Sequence, residues 1–141
     1  MRYTIFADGG ARGNPGPAGA GAVIRDESEK LVGKVSKFLG HRTNNFAEYE
    51  AVILGFAELQ QLIPAEQRRE TEVLVKMDSE LVVKQMKGEY KVKHPVLKEQ
   101  QARLIQAAGT FHKVSFTHIP RAQNSDADAQ ANEAMDRGSN P

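Results

Sequence analysis

Residues 43–63, TNNFAEYEAVILGFAELQQLI, decide the fold. Apolar side chains at Phe46, Tyr49, Val52, Ile53, Phe56, Leu59 and Ile63 recur at helical spacing. Thr43 or Asn44 supplies an N-cap, and Pro64 closes the segment. On the N-terminal side the period is two. Residues 2–8 alternate, with Tyr3, Ile5 and Ala7 on one face and Thr4 and Phe6 on the other. The small-residue run 18–21 leads into Ala22, Val23 and Ile24, and KLVGKVSKFL (30–39) alternates again. Short links make these three strands antiparallel neighbours. Beyond Pro64, TEVLVKM (71–77) reads as a strand and DSELVVKQMKG (78–88) as a short helix ending near Gly88. Residues 95–108 form a helix opened by Pro95. VSFTHI (114–119) is a fifth strand, NSDADAQANEAMDR (124–137) a last helix, and about 137–141 a polar tail. Strands separated by helices pair in parallel through right-handed crossovers. Three meander strands and two crossover strands predict a five-stranded mixed sheet flanked by helices, an α/β fold in one domain over 1–141.

Composition narrows the function classes without choosing one. The 141 residues carry 19 Lys plus Arg and 18 Asp plus Glu, a net charge of +1, which neither demands nor excludes nucleic acid. There is no cysteine, so a disulfide framework, a thiol nucleophile and a cysteine zinc site are ruled out. The first residues lack the apolar core of a signal peptide, and no run approaches the ~20 apolar residues of a membrane span. A soluble cytoplasmic protein is the expectation. No apolar patch calls for a dimer, so a monomer without an obligate protein partner is expected.

Four carboxylates stand out. Ligands of such sheets gather at the carboxyl ends of the parallel strands, and Asp8 and Asp78 follow the first and fourth strands. Each has a plain structural reading, Asp8-Gly9 as a hairpin turn and Asp78-Ser79 as a helix N-cap. Glu48 lies in the first turn of the long helix, in line with Ala51, Val52 and Gly55, a small apolar stripe suited to face the sheet. A carboxylate there complements the helix dipole, but burying it is costly unless it is paired or bound to metal. Asp128 falls in the first turn or so of the last helix, in line with Ala131 and Asn132, while Asp126 caps or faces solvent. Unpaired carboxylates sharing one site repel. Oxygen-only ligands point to a hard divalent ion, Mg²⁺ or Mn²⁺, and two such ions roughly 4 Å apart suit displacement at a phosphodiester.

Four blocks in register, DGGARGNPGPAGAGAVI (8–24), TNNFAEYEAVILG (43–55), MDSELVV (77–83) and IPRAQNSDADAQANEA (119–134), resemble type 1 ribonuclease H over nearly the whole chain. The resemblance implies strand order 3-2-1-4-5 and two Mg²⁺ ions, with Mn²⁺ as a substitute, held by Asp8, Glu48, Asp78 and Asp128. It implies an endonuclease that hydrolyses the RNA strand of RNA–DNA hybrids and leaves 5′-phosphate and 3′-hydroxyl ends. By the same resemblance Asn14 and Thr43 match positions that hold a phosphate of the DNA strand. Asn44 and Asn45 match residues that reach the minor groove and that phosphate. The backbone of Gly9 and Gly10 is suited to approach a ribose 2′-OH. Thr43 and Asn44 also read as ordinary helix caps, and Asn14-Pro15-Gly16 as an ordinary turn.

The chain departs from the family pattern in three places. Glu80 stands where many members have a minor-groove glutamine, a candidate nucleic-acid contact that accepts from a ribose 2′-OH or else tunes or weakens hybrid binding. The loop from Ile119 to Asp128 is too short for a mobile catalytic histidine, which leaves His118 on the fifth strand and Arg121 in the loop as candidates for proton transfer or phosphate contact. The segment MKGEYKVKHPVLK (86–98) is a brief counterpart of a long basic protrusion, still basic through Lys87, Lys91, Lys93 and Lys98. With no separate hybrid-binding segment ahead of Met1, modest processivity and strong salt dependence are expected. Alternatives are a nuclease whose substrate has broadened to double-stranded RNA and a non-catalytic nucleic-acid-binding module. A small-molecule phosphotransferase lacks support, because no Walker-type glycine loop with lysine is present.

Overall fold

A computed structural model describes residues 1–139. Five strands form one sheet in the order β3-β2-β1-β4-β5. They are β1 (Arg2–Ala11), β2 (Gly16–Arg25), β3 (Leu31–Arg42), β4 (Glu72–Met77) and β5 (Lys113–His118). β1–β2 and β2–β3 are antiparallel, and β1–β4 and β4–β5 are parallel. The helices are α1 (Asn44–Leu62), α2 (Ala65–Arg68), α3 (Glu80–Met86), α4 (Pro95–Ala108) and α5 (Ser125–Ser139), with a 3₁₀ turn at Arg121–Gln123. α2 and the 3₁₀ turn, each a single turn of chain, have no counterpart in the sequence reading. Of the polar tail expected at 137–141, residues 137–139 continue α5, and 140–141 lie outside the described residues.

The first hairpin differs most from expectation. β1 does not end at Asp8. It runs on to Ala11, pairing Asp8 with Gly21 and Ala11 with Ala18, so the turn shrinks to residues 12–15. Gly9 and Gly10 carry no turn signal of their own here, because the hairpin closes further on, where Arg12 N donates to Pro17 O at 2.9 Å. The parallel pairing of β1 with β4 stops earlier, at Ala7–Met77. Asp8 and Asp78 are therefore the first residues past the same rung, where β4 turns into α3 while β1 continues. That fork is the topological switch point of the sheet.

Helices cover both faces. Ile5, Ala22, Ile24, Val73, Val75 and Met77 pack against Tyr49, Val52, Phe56 and Leu59 of α1 and against residues of α3 and α4. Phe56 is fully buried, which stabilises the fold by roughly 1.5–3 kcal/mol. The Ala51–Val52–Gly55 stripe meets the sheet as expected, with Gly55 directly on Ile5. The other face of β2 takes α5 through small residues. A Cβ on Gly21 would lie 2.4 Å from Ala131 N and 2.5 Å from Ala127 O, so only glycine lets α5 sit this close. Ala127, Ala131 and Ala134 complete the buried seam.

Candidate active site

The fork gathers the acids. One cleft of about 410 Å³ is lined by Asp8, Glu48, Asp78 and Asp128 together with Gly9, Gly10, Asn44, Ser79, Arg121 and Asn132. Each acid comes from a different element: β1, the first turns of α1, the residue after β4, and the first turn of α5. All four are half-buried. Gly9 makes this convergence possible. A Cβ there would sit 2.2 Å from Ala47 O and 2.6 Å from Glu48 N, so α1 rests directly on the strand and brings Glu48 in beside Asp8.

The electrostatics show the cost of the arrangement. Burial, the charge of Asp78 and the proximity of Asp128 push the Asp8 carboxyl from 3.8 up to about 8. Burial also raises Glu48, with Asp78 adding to the rise and a hydrogen bond from Ser79 opposing it. Polar neighbours hold the remaining oxygens. Asn132 Nδ2 donates to Asp128 Oδ2 at 3.1 Å, and Asn124 Nδ2 donates to Asp78 Oδ1 at 3.2 Å. Arg121 Nη2 lies 3.8 Å from Asp128 Oδ1. Ser79, buried, accepts from Val82 N at 3.2 Å and so caps α3. Thus the N-cap reading of Asp78-Ser79 belongs to Ser79, which leaves Asp78 free to face the cleft.

A second, adjoining hollow is lined by Asn14, Thr43, Asn45, His41, Arg42 and His94 among others. Three side chains at this rim use their oxygens internally. Thr43 Oγ1 accepts from Phe46 N at 3.2 Å, Asn14 Oδ1 from Asn44 N at 3.0 Å, and Asn44 Oδ1 from Ala11 N at 2.7 Å. Capping and turn closure are thereby real, and they orient the residues. What each keeps unengaged among the described residues is a donor: a hydroxyl or two amide hydrogens.

The other sequence candidates sit apart. Glu80 is exposed in the first turn of α3 and pairs with Lys84 at 2.6 Å. The hydrogen bond with Lys84 lowers the Glu80 pKa. His118 ends β5, exposed, and does not line the acid cleft. Asp126 pairs with Arg25 at 2.8 Å at the surface. Lys87, Lys91, Lys93 and Lys98 are all exposed. Sequence reasoning passed over Arg12, Ser79, Asn124 and Asn132. Ser79 was legible as a cap. The other three depend on which helix face meets which strand.

A family described as reverse transcriptase-like matches residues 6–134. A bifunctional protein of Mycobacterium tuberculosis is 44% identical over 137 residues, covering 96% of this chain and 36% of its own length. Ribonuclease H1 from Halobacterium salinarum superposes with a TM-score of 0.89 at 35% identity, covering 97% of this chain and 99% of that one. The chain belongs to the type 1 ribonuclease H family. Another ribonuclease H1, LC11, solved in complex with an RNA/DNA hybrid, superposes at 0.88 with 44% identity over 97% of this chain and 99% of that one. The strand order shared by the family is the one found here. The chain spans about a third of the length of the mycobacterial relative.

Whether the cleft suits a divalent ion can be judged from its donors. They are mainly carboxylate and amide oxygens of hard-ion type; no imidazole or thiolate lines the cleft, and its one sulfur is the Met135 thioether. Among the described residues no three acids close around a single point. Mg²⁺ does not require that, since it is usually bound by one or two carboxylates plus waters and substrate phosphates. The residues fit the ion.

Proposed function

We propose that this chain is an endoribonuclease that hydrolyses the RNA strand of RNA–DNA hybrids. The observation that carries the reading is the convergence of Asp8, Glu48, Asp78 and Asp128 from four elements on one open cleft. These acids would hold two divalent ions, Mg²⁺ or Mn²⁺. When bound, such ions would supply an activated water at neutral pH and charge to offset the leaving 3′ oxygen, chemistry that would leave 5′-phosphate and 3′-hydroxyl ends.

The rest of the work falls to the chain. Asp8, half-buried beside Asp78 and Asp128, would carry one of the charges that bound ions offset. The Gly9–Gly10 backbone lines the cleft without side chains and admits a ribose edge. Asn14, Thr43, Asn44 and Asn45 present donors along the adjoining rim, matched to a phosphate that only accepts. This divides labour across the duplex: acids on the strand to be cut, donors on the partner strand. Arg121, 81% exposed in its side chain and loosely paired with Asp128, would meet a phosphate entering the cleft. Glu80 and His118 lie outside the acid cleft and carry no role in this reading.

Asp8→Asn, Glu48→Gln and Asp78→Asn should each lower cleavage of an end-labelled hybrid by more than roughly 100-fold. Full cleavage by all three variants would dismiss the metal-site reading.

A further inference from the structure

Asn124 is a polar side chain only 1% exposed, directly behind the acid cleft. It stands immediately before α5, where an asparagine ordinarily turns its side-chain oxygen onto the first N–H groups of the helix. Here only its main-chain carbonyl serves the helix, accepting from Asp128 N at 3.0 Å. Its Oδ1 is buried and has no hydrogen-bond partner among the described residues. Its Nδ2 instead donates to Ala7 O at 2.9 Å and to Asp78 Oδ1 at 3.2 Å.

An orphaned buried oxygen is rare and unfavourable, so what holds the side chain in this orientation is the pair of bonds made by the nitrogen. Aspartate would cap the helix as well, but would add a carboxylate to a cluster that already repels. Serine caps too, but is one bond shorter. A carboxamide alone reaches Asp78 as a donor while anchored on β1. Through one residue, three acid-bearing segments are tied: Ala7 O, just before Asp8, and Asp78 Oδ1 accept from its Nδ2, and Asp128 N donates to its main-chain carbonyl.

We infer that Asn124 is a positioning residue of the acid cleft, fixing the Asp78 carboxylate relative to Asp8 and Asp128 and thereby setting the affinity for divalent cations. This rests on the two-ion reading above. The test is titration calorimetry with Mn²⁺ on the wild-type chain, Asn124→Ala and Asn124→Ser, beside thermal unfolding and hybrid cleavage across a range of Mg²⁺ concentration. Both variants should bind Mn²⁺ roughly 10–100-fold more weakly and need correspondingly more Mg²⁺ for half-maximal cleavage. The serine variant should unfold close to the wild-type temperature, since serine is favoured before a helix. A folded serine variant with wild-type Mn²⁺ affinity overturns the assignment, whatever its melting temperature. So does loss of folding in both variants, which would make Asn124 a structural residue only. If the wild-type chain itself binds no Mn²⁺, the two-ion reading falls and this inference falls with it.

Discussion

At Asp8 the carboxyl sits half-buried between Asp78 and Asp128, and its pKa stands near 8 rather than 3.8. A raised pKa means that the folded state binds the proton more tightly than the unfolded chain does. The stabilisation is complete below the unfolded value and is lost as pH rises through the folded one. The metal-free protein should therefore lose thermal stability between about pH 4 and about pH 8. Asp8→Asn should flatten much of that slope and raise stability at the alkaline end by about 0.5–2 kcal/mol. Glu48, shifted in the same direction, keeps the remainder. Thermal melts of both proteins across this range, without divalent ions, check the point; parallel curves would remove Asp8 from the repulsive cluster. The variant that destroys activity is thus predicted to be the more stable one.

Among the elements, the meeting of α1 with β1 matters most for the site. Gly9 and Gly10 are adjacent and chemically identical, yet their surroundings differ. A Cβ at Gly9 strikes the α1 backbone at 2.2 Å, whereas one at Gly10 finds only Met135 Cε at 3.8 Å and Asn44 Oδ1 at 4.0 Å. Gly9→Ala should destabilise the fold by about 1–3 kcal/mol and displace Glu48, while Gly10→Ala should stay within about 0.5 kcal/mol. Denaturant unfolding of the pair distinguishes them, and equal effects would contradict the described packing. This contrast also marks what the sequence could disclose. Periodicity found all five strands and the long helices, with α4 bounded at Pro95–Ala108 as expected. Asp8-Gly9 and Asn14-Pro15-Gly16 both read as turns, because glycine and proline signal turns locally. In the structure Gly9, Gly19 and Gly21 serve helix-on-strand contact instead, a long-range demand that no local window contains. The acids were legible because Asp78 follows a strand and Glu48 and Asp128 stand in the first turns of helices; Asp8 read as following the first strand, although it lies within β1. Asn124 was not, because its partners Ala7 and Asp78 are 117 and 46 residues away in sequence.

Across the whole molecule the acids and the lysines occupy different places. The acid cleft lies at the sheet fork, and Lys87, Lys91, Lys93 and Lys98 lie exposed between α3 and α4 and at the start of α4. Among the described residues no helix is long and apolar enough to cross a membrane. If these lysines meet phosphates, binding to hybrid falls with salt by counterion release. Lys91→Ala combined with Lys93→Ala should reduce the log–log salt slope by about 1–2 with little change in cleavage position. An unchanged slope would leave those lysines as solvated surface. End-labelled RNA–DNA hybrid, double-stranded RNA and single-stranded RNA should be incubated with the chain in Mg²⁺ and in Mn²⁺, at low and moderate salt. Internal cleavage of the RNA strand of the hybrid, metal-dependent and with 5′-phosphate ends, is the predicted result. An intact hybrid under every condition would contradict the account.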